Sequence, residues 1–203
     1  LVLPEAFDLG WTHPSAKTEA QPIPGPFTGE LCDQARRHGM YLCAGLTEKD
    51  GNRVYNSAVL ISSSGDIILT YRKINVLDVG QEFYEIGRQL GVVETPFGSI
   101  GLNICADNYA DAYEIGHVLA RMGAQLILSP SSWTVDYSQS NQCDPYGDKW
   151  VGPLHRIAKL FDLIIVSVTS VGYIVGGPYE GKKMVGCSLV VGSSGILLQS
   201  SIN

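Results

Sequence analysis

Residues 92–114 read VVETPFGSIGLNICADNYADAYE, and the way this stretch turns decides the fold. Val92 and Val93, a turn over Thr95-Pro96-Phe97-Gly98, and the alternating Ile100, Leu102 and Ile104 describe a hairpin whose second strand enters the protein centre. That strand ends at Cys105. Ala106-Asp107-Asn108 makes a poor strand and a plausible helix start, because Asp and Asn side chains satisfy free backbone amides. A helical pattern then runs to about Met122, with Ile115, Val118, Leu119 and Met122 on one face. The spacing therefore predicts Cys105 on a tight strand-to-helix elbow, which pushes a side chain out of the sheet and aims backbone N–H groups at whatever it attacks. The alternative is a buried structural thiol, the commoner fate of a cysteine after an apolar strand.

Working outward, the segment before the hairpin predicts three strands, Tyr41–Thr47, Val54–Ser62 and Asp66–Tyr71, joined by the Gly-containing turns EKDGN and SSSGD. Leu1–Pro4 reads as a short strand ending at Glu5. Residues 7–26 form a long loop of the kind that is functional or disordered, and Phe27–His38 reads as a helix ended by Gly39. After the elbow come a strand at Gln125–Ser129, the rim Pro130-Ser131-Ser132-Trp133, an irregular stretch over 135–148, a helix at Trp150–Phe161 and a strand at Leu163–Thr169. A Gly-rich loop over 171–183 and a last hairpin of Met184–Val191 with Ile196–Gln199 complete the chain. Strands outnumber helices and mix hairpins with crossovers, which suits an α/β domain of two packed sheets flanked by helices, a four-layer α-β-β-α sandwich.

Composition bounds the function. The chain has 203 residues, 45% apolar and 17% charged, with a net charge of −6, so one domain with a sizeable core is expected over 1–203. There is no run of Lys and Arg, which argues against nucleic acid and anionic membrane as partners. No apolar run reaches the roughly 20 residues a membrane span needs. Five cysteines, Cys32, Cys43, Cys105, Cys143 and Cys187, are scattered without a C-x-x-C pair. That argues against a disulfide framework and a zinc site, and fits a reducing cytoplasm. No cofactor or metal is expected.

Three blocks, LVLPEAF at residues 1–7, YRKINV at 71–76 and GLNICAD at 101–107, resemble in order and context the signature blocks of the nitrilase (carbon–nitrogen hydrolase) superfamily. The resemblance implies the four-layer sandwich, Glu5 as general base, Lys73 as the cation that holds Glu5 and stabilises the developing oxyanion, and Cys105 as nucleophile. It also implies a second glutamate in an F-x-E pattern, met by Phe83-Tyr84-Glu85, with Glu82 as competitor. The Ala106 N–H is the natural second oxyanion donor, and Trp133 lies on the expected substrate rim. Read without the resemblance, Glu5 is a solvated strand-end carboxylate and Lys73 half of an exposed basic pair.

The chemistry suits these residue types. Amide and nitrile carbons are poor electrophiles, and a thiolate splits their hydrolysis into acylation and deacylation, provided that a base removes its proton. Departures narrow the class. Asn75 stands where the family usually has His, Asp111-Ala112 where Pro-Glu is common, and the interval from Lys73 to Glu85 is shorter than in many members. True nitrilases carry Trp-Glu after the cysteine, and here the pair is Ala106-Asp107, so an amidase or N-carbamoyl hydrolase of small molecules is expected ahead of nitrile hydrolysis or acyl transfer. An inactive assembly subunit would have no reason to keep Glu5, Lys73, Glu85 and Cys105 together. A papain-like protease needs a His partner, and His117 and His155 lie on predicted helices. The resemblance further implies a flanking strand-helix before residue 1, a segment after the last strand, and two-fold pairing through the helices at 110–122 and 150–161, with Arg121, Lys159 and Trp150 near the contact.

Overall fold

The structure, a computed structural model, describes residues 1–139 and 147–200. Cys143 and half of the irregular stretch over 135–148 lie outside the described residues. At the N-terminus, Leu1–Leu3 runs parallel to β1 (Leu42–Asp50), bridging Val2 to Cys43. A loop containing the short helix α1 (Ala16–Glu19) leads to α2 (Pro26–His38), which ends at Gly39 in the left-handed conformation. β1, β2 (Arg53–Ile61) and β3 (Ile67–Arg72) form an antiparallel sheet in which Leu42 faces Ile61 and Asp50 faces Arg53.

Period-two alternation divides this sheet between two cores. Leu42, Ala44, Leu46, Val59 and Ile61 pack under Leu31 and Ala35 of α2. Cys43, Ala58 and Leu60 point the other way, into the core shared with the second sheet.

That second sheet has six strands: β4 (Val92–Thr95), β5 (Gly98–Leu102), β6 (Leu126–Ser131), β8 (Ile164–Thr169), β11 (Leu189–Gly192) and β12 (Gly195–Gln199), ordered β12-β11-β8-β6-β5-β4. Its centre, β5-β6-β8, is parallel and its flanks are antiparallel. Parallel neighbours need long crossovers. These carry α3 (Glu114–Arg121) and α4 (Gly152–Phe161), whose Leu119, Leu154, Ile157 and Ala158 share the main core. The layers are thus α2, first sheet, second sheet, and α3 with α4: the expected α-β-β-α sandwich. A small sheet of β7 (Thr134–Val135), β10 (Lys183–Val185) and β9 (Val171–Tyr173) stands beyond the C-terminal ends of β6 and β8. Among the described residues no helix is long and apolar enough to cross a membrane.

Several expectations shift. The helix after Cys105 begins at Glu114 rather than at Asp107, because residues 105–108 close a 3-10 turn first. The last hairpin is divided: Lys183–Val185 joins the small sheet and Leu189–Gly192 the large one, with Gly186 at φ +67 making the break. The loop at 7–26 is neither irregular throughout nor loose. Ala6, Trp11 and Ala16 pack with Val76, Phe83 and Tyr84 in a core of their own.

Gly45 of β1 shows how closely the layers meet beside the N-terminal segment. A Cβ there would lie 2.6 Å from the Cα of Glu5, 2.6 Å from the carbonyl oxygen of Pro4 and 2.9 Å from the Cβ of Pro130. Backbone cannot yield as a flexible side chain does, so Gly45→Ala is expected to destabilise by about 2–3 kcal/mol. Urea unfolding would check this, and a midpoint equal to wild type would refute it.

Candidate active site

Three elements deliver the reactive side chains. Glu5 ends the N-terminal segment, where its N–H donates to the Ser131 carbonyl at 3.3 Å and the Gly45 N–H donates to the Pro4 carbonyl at 3.1 Å. Lys73 follows β3, its N–H donating to the carbonyl of Asn56 at 2.8 Å. Cys105 opens the 3-10 turn beyond β5. All three are buried, Glu5 to 1% exposure, Lys73 to 2% and Cys105 to 5%. The solvated and exposed alternatives for Glu5 and Lys73 are therefore excluded.

Lys73 Nζ donates to Glu5 Oε1 at 2.6 Å, and Asn56 Nδ2 donates to the same oxygen at 2.6 Å. Glu5 Oε2 is buried with no hydrogen-bond partner among the described residues. A buried carboxylate oxygen without a donor is costly. Burial and the neighbouring Glu5 charge push the Cys105 thiol up to about 12, against the opposing pull of Lys73 and the Ser132 backbone N–H. The thiol is thus held protonated at neutral pH, and its reactivity depends on a base that can receive the proton. For Lys73, burial favours the neutral amine, yet the charges of Glu5 and Asp107, joined by Cys105 only once its thiol ionises at high pH, outweigh it and hold the ammonium above its ordinary range.

Backbone strain gathers here. Cys105 has φ +46 and Ala6, directly after Glu5, has φ +45; these are two of only four non-glycine residues with positive φ among those described. Each costs roughly 1–2 kcal/mol and persists because the surroundings over-determine it. At the elbow, the Ile104 N–H donates to Asp107 Oδ2 at 2.8 Å. Asn108 Nδ2 donates to Ser129 Oγ at 2.8 Å, and Asn103 Nδ2 donates to Asn108 Oδ1 at 2.6 Å.

The structure does not bring Glu85 to this cluster. Tyr84 and Glu85 part ways just after the turn over 81–83: Tyr84 is buried and Glu85 is exposed. Tyr84 turns inward, accepting the Thr12 N–H on its hydroxyl at 3.1 Å, and Glu85 turns out to line an open groove with Arg53, Tyr55 and Arg72. Glu82 is also outside, paired with Lys17 at 3.0 Å. Ala106 is buried next to Cys105, with its carbonyl accepting from Asn75 Nδ2 at 2.8 Å. Trp133 is buried rather than on an open rim, and its indole stacks on Trp150 with centroids 5.0 Å apart. Trp150 is thus covered inside the chain and not left for a partner.

Sequence reasoning passed over three further residues. Asn56 restrains Glu5, and its signal was an amide within the apolar run of β2. Ser132 places its N–H on the Cys105 sulfur, and its Oγ donates to the Glu5 carbonyl at 3.2 Å. Asp107, read as a helix cap, is wholly buried.

The sequence pattern of the carbon-nitrogen hydrolase family matches residues 1–200. An omega-amidase of Danio rerio is 31% identical over 66% of this chain and 52% of its own length, and a nitrilase of Pyrococcus abyssi is 39% identical over 68% and 53%. The chain therefore spans about half the length of these relatives. Among solved structures, a carbon-nitrogen hydrolase from Helicobacter pylori G27 superposes with a TM-score of 0.80 at 24% identity, covering 98% of this chain and 72% of that one. An amidase from Nesterenkonia sp. AN1 gives 0.82 at 21%, covering 100% and 76%; that variant carries acrylamide joined to its active-site cysteine by Michael addition. These two likenesses bear on the fold. With the family pattern running almost end to end, the chain belongs to the carbon–nitrogen hydrolase (nitrilase) family.

Proposed function

We propose that this protein is an amidase-type hydrolase that cleaves the C–N bond of a small amide or N-carbamoyl compound through a thioester on Cys105. The observation that carries the reading is the asymmetric Glu5 carboxylate, one oxygen fixed by Lys73 and Asn56 and the other buried without a partner near a protonated thiol. As Cys105 sulfur bonds to the carbonyl carbon, its proton passes to Glu5, and the tetrahedral oxygen is stabilised by Lys73 and the Ala106 N–H. Collapse breaks the C–N bond, and Glu5 returns the proton to the departing ammonia or amine. Water then attacks the thioester, loses a proton to Glu5, and the C–S bond breaks with the thiol restored. Glu85, being outside, has no role in these steps.

Amides are favoured over nitriles because the pair after Cys105 is Ala106-Asp107 and Asp107 is turned into the protein. The likeness to an omega-amidase supports the same choice, and the likeness to a nitrilase keeps nitrile hydrolysis as the second reading. Intact-protein mass spectrometry after mixing with a panel of simple amides, N-carbamoyl compounds and nitriles tests it. Acyl adducts on Cys105 from amides or N-carbamoyl compounds are expected; adducts from nitriles alone, or none, would overturn the assignment.

Lys73→Ala is expected to lower kcat by roughly 10²- to 10³-fold, the scale of a lost oxyanion donor. Arg should not restore it, since a closed site built around a point charge has no space for a planar fork. Steady-state kinetics of both variants check this, and activity near wild type in either would remove Lys73 from the mechanism.

A further inference from the structure

One buried carboxyl takes no part in the steps above and yet joins the two halves of the site. Asp107 Oδ1 accepts the Asn75 N–H at 2.7 Å, and its Oδ2 accepts the Ile104 N–H at 2.8 Å and the Tyr71 hydroxyl at 2.7 Å. The Tyr71 hydroxyl in turn accepts the Ile74 N–H at 3.1 Å. Asn75 Nδ2 donates to the Ala106 carbonyl at 2.8 Å. Three of these bonds cross between the segment that carries Lys73 and the elbow that carries Cys105, and the other two brace each side.

We propose that Asp107 is a positioning residue that sets the Lys73 ammonium against the Cys105 elbow, with Tyr71 and Asn75 as its two arms. Its effect on turnover rests on the amidase reading; its effect on Cys105 does not. Only a carboxylate suits the place. Three donors converge on two oxygens, and any neutral replacement either lacks acceptors or turns a donor toward a donor. The charge adds a second action, because Asp107 and Glu5 are the buried carboxylates that act on Lys73, and attraction is strong where water is excluded. Asn75 also gains a reason for being where the family usually has His: its amide reaches the Ala106 carbonyl and ties down the turn that presents the cysteine.

The test compares Asp107→Asn and Tyr71→Phe with wild type in three measurements: kcat and KM on an amide, the rate at which iodoacetamide labels Cys105 in the folded protein, and the thermal midpoint. Asp107→Asn should lower kcat by about 10- to 100-fold, the scale lost when partners behind a reactive centre are removed, with KM within about 3-fold of wild type. Its alkaline limb of kcat should move to lower pH, since Lys73 loses one of the charges that hold its proton. Labelling of Cys105 should slow by about 10-fold, because a Lys73 ammonium no longer set against the elbow stabilises the thiolate less. Tyr71→Phe should shift both rates in the same direction by less. A purely structural role would lower the thermal midpoint and leave kcat and labelling of the folded protein unchanged, and that result overturns the proposal. Should Asp107→Asn fail to fold, Tyr71→Phe decides by the same criterion. If wild type turns over no amide, the amidase reading fails, and the labelling rates still judge Asp107.

Discussion

Cys105→Ala is expected to abolish turnover, by roughly 10⁵-fold or more, the scale seen when a covalent nucleophile is deleted. The fold should survive. Alanine is tolerated at the same left-handed backbone conformation a hundred residues earlier, where Ala6 has φ +45 against +46 for Cys105. The lost sulfur leaves a small cavity, and the charge balance of Glu5 and Lys73 is unaltered because the resting thiol is neutral. No other described cysteine can substitute. Burial alone pushes Cys43 up to about 12, with no buried carboxylate among the groups acting on it, and Cys32, raised by burial, packs on α2 against the outer core. Kinetics on the most reactive amide, with a urea melt of the same sample, make the check. A folded Cys105→Ala protein hydrolysing its amide at near wild-type rate would place the chemistry elsewhere.

How much of this was readable in the sequence depends on the range over which each residue's fate is decided. The elbow was readable because its cause is local: alternation through Ile100, Leu102 and Ile104 carries the chain inward, and a polar pair after Cys105 stops the strand. The strands β1 and β2 were readable for the same reason, and the structure then divides their side chains between two cores by parity. Asp107 was misread because its fate is not local. A helix cap and a buried acceptor look alike in sequence, and the donors that make it the second come from Tyr71 and Asn75, more than thirty residues upstream.

Glu85 failed in another way. Its assignment rested on a motif, and a motif fixes order along the chain and not the side on which a side chain emerges. The inward turn of Tyr84 sends Glu85 out, and that choice is made by Trp11, Ala16 and Val76 packing around Phe83 and Tyr84. Trp133 was read as a rim residue by likeness to Pro-containing rims; its partner Trp150 lies seventeen residues on, across a stretch without periodicity.

Glu5→Gln should lower kcat by roughly 10³-fold, within the range for loss of a general base, and should also expose how the site is held together. The replacement is isosteric, so Asn56 can still donate to Oε1, but Gln cannot accept the Cys105 proton and offers Lys73 no charge. Breaking one side of a buried ion pair leaves the other uncompensated, and about 3 kcal/mol of stability should be lost, the low end for such cases, because Asp107 still faces Lys73. The pH dependence gives the signature. In wild type the folded state raises the Lys73 pKa, so this stabilisation is fully present below the unfolded lysine value and fades as pH rises through the folded one. In Glu5→Gln burial is opposed by less charge, so the folded protein holds the Lys73 proton less tightly. The gap in stability between the two proteins should therefore be wide and level near neutrality and narrow with rising pH once the folded variant loses the Lys73 proton that the folded wild type still holds; the unfolded chain's own titration is common to both and cancels. Thermal midpoints of both proteins from pH 6 to 11 measure it. A gap that stays constant to pH 11, or widens, would mean that Lys73 is not the charge Glu5 balances, and the mechanism would lose its electrostatic centre.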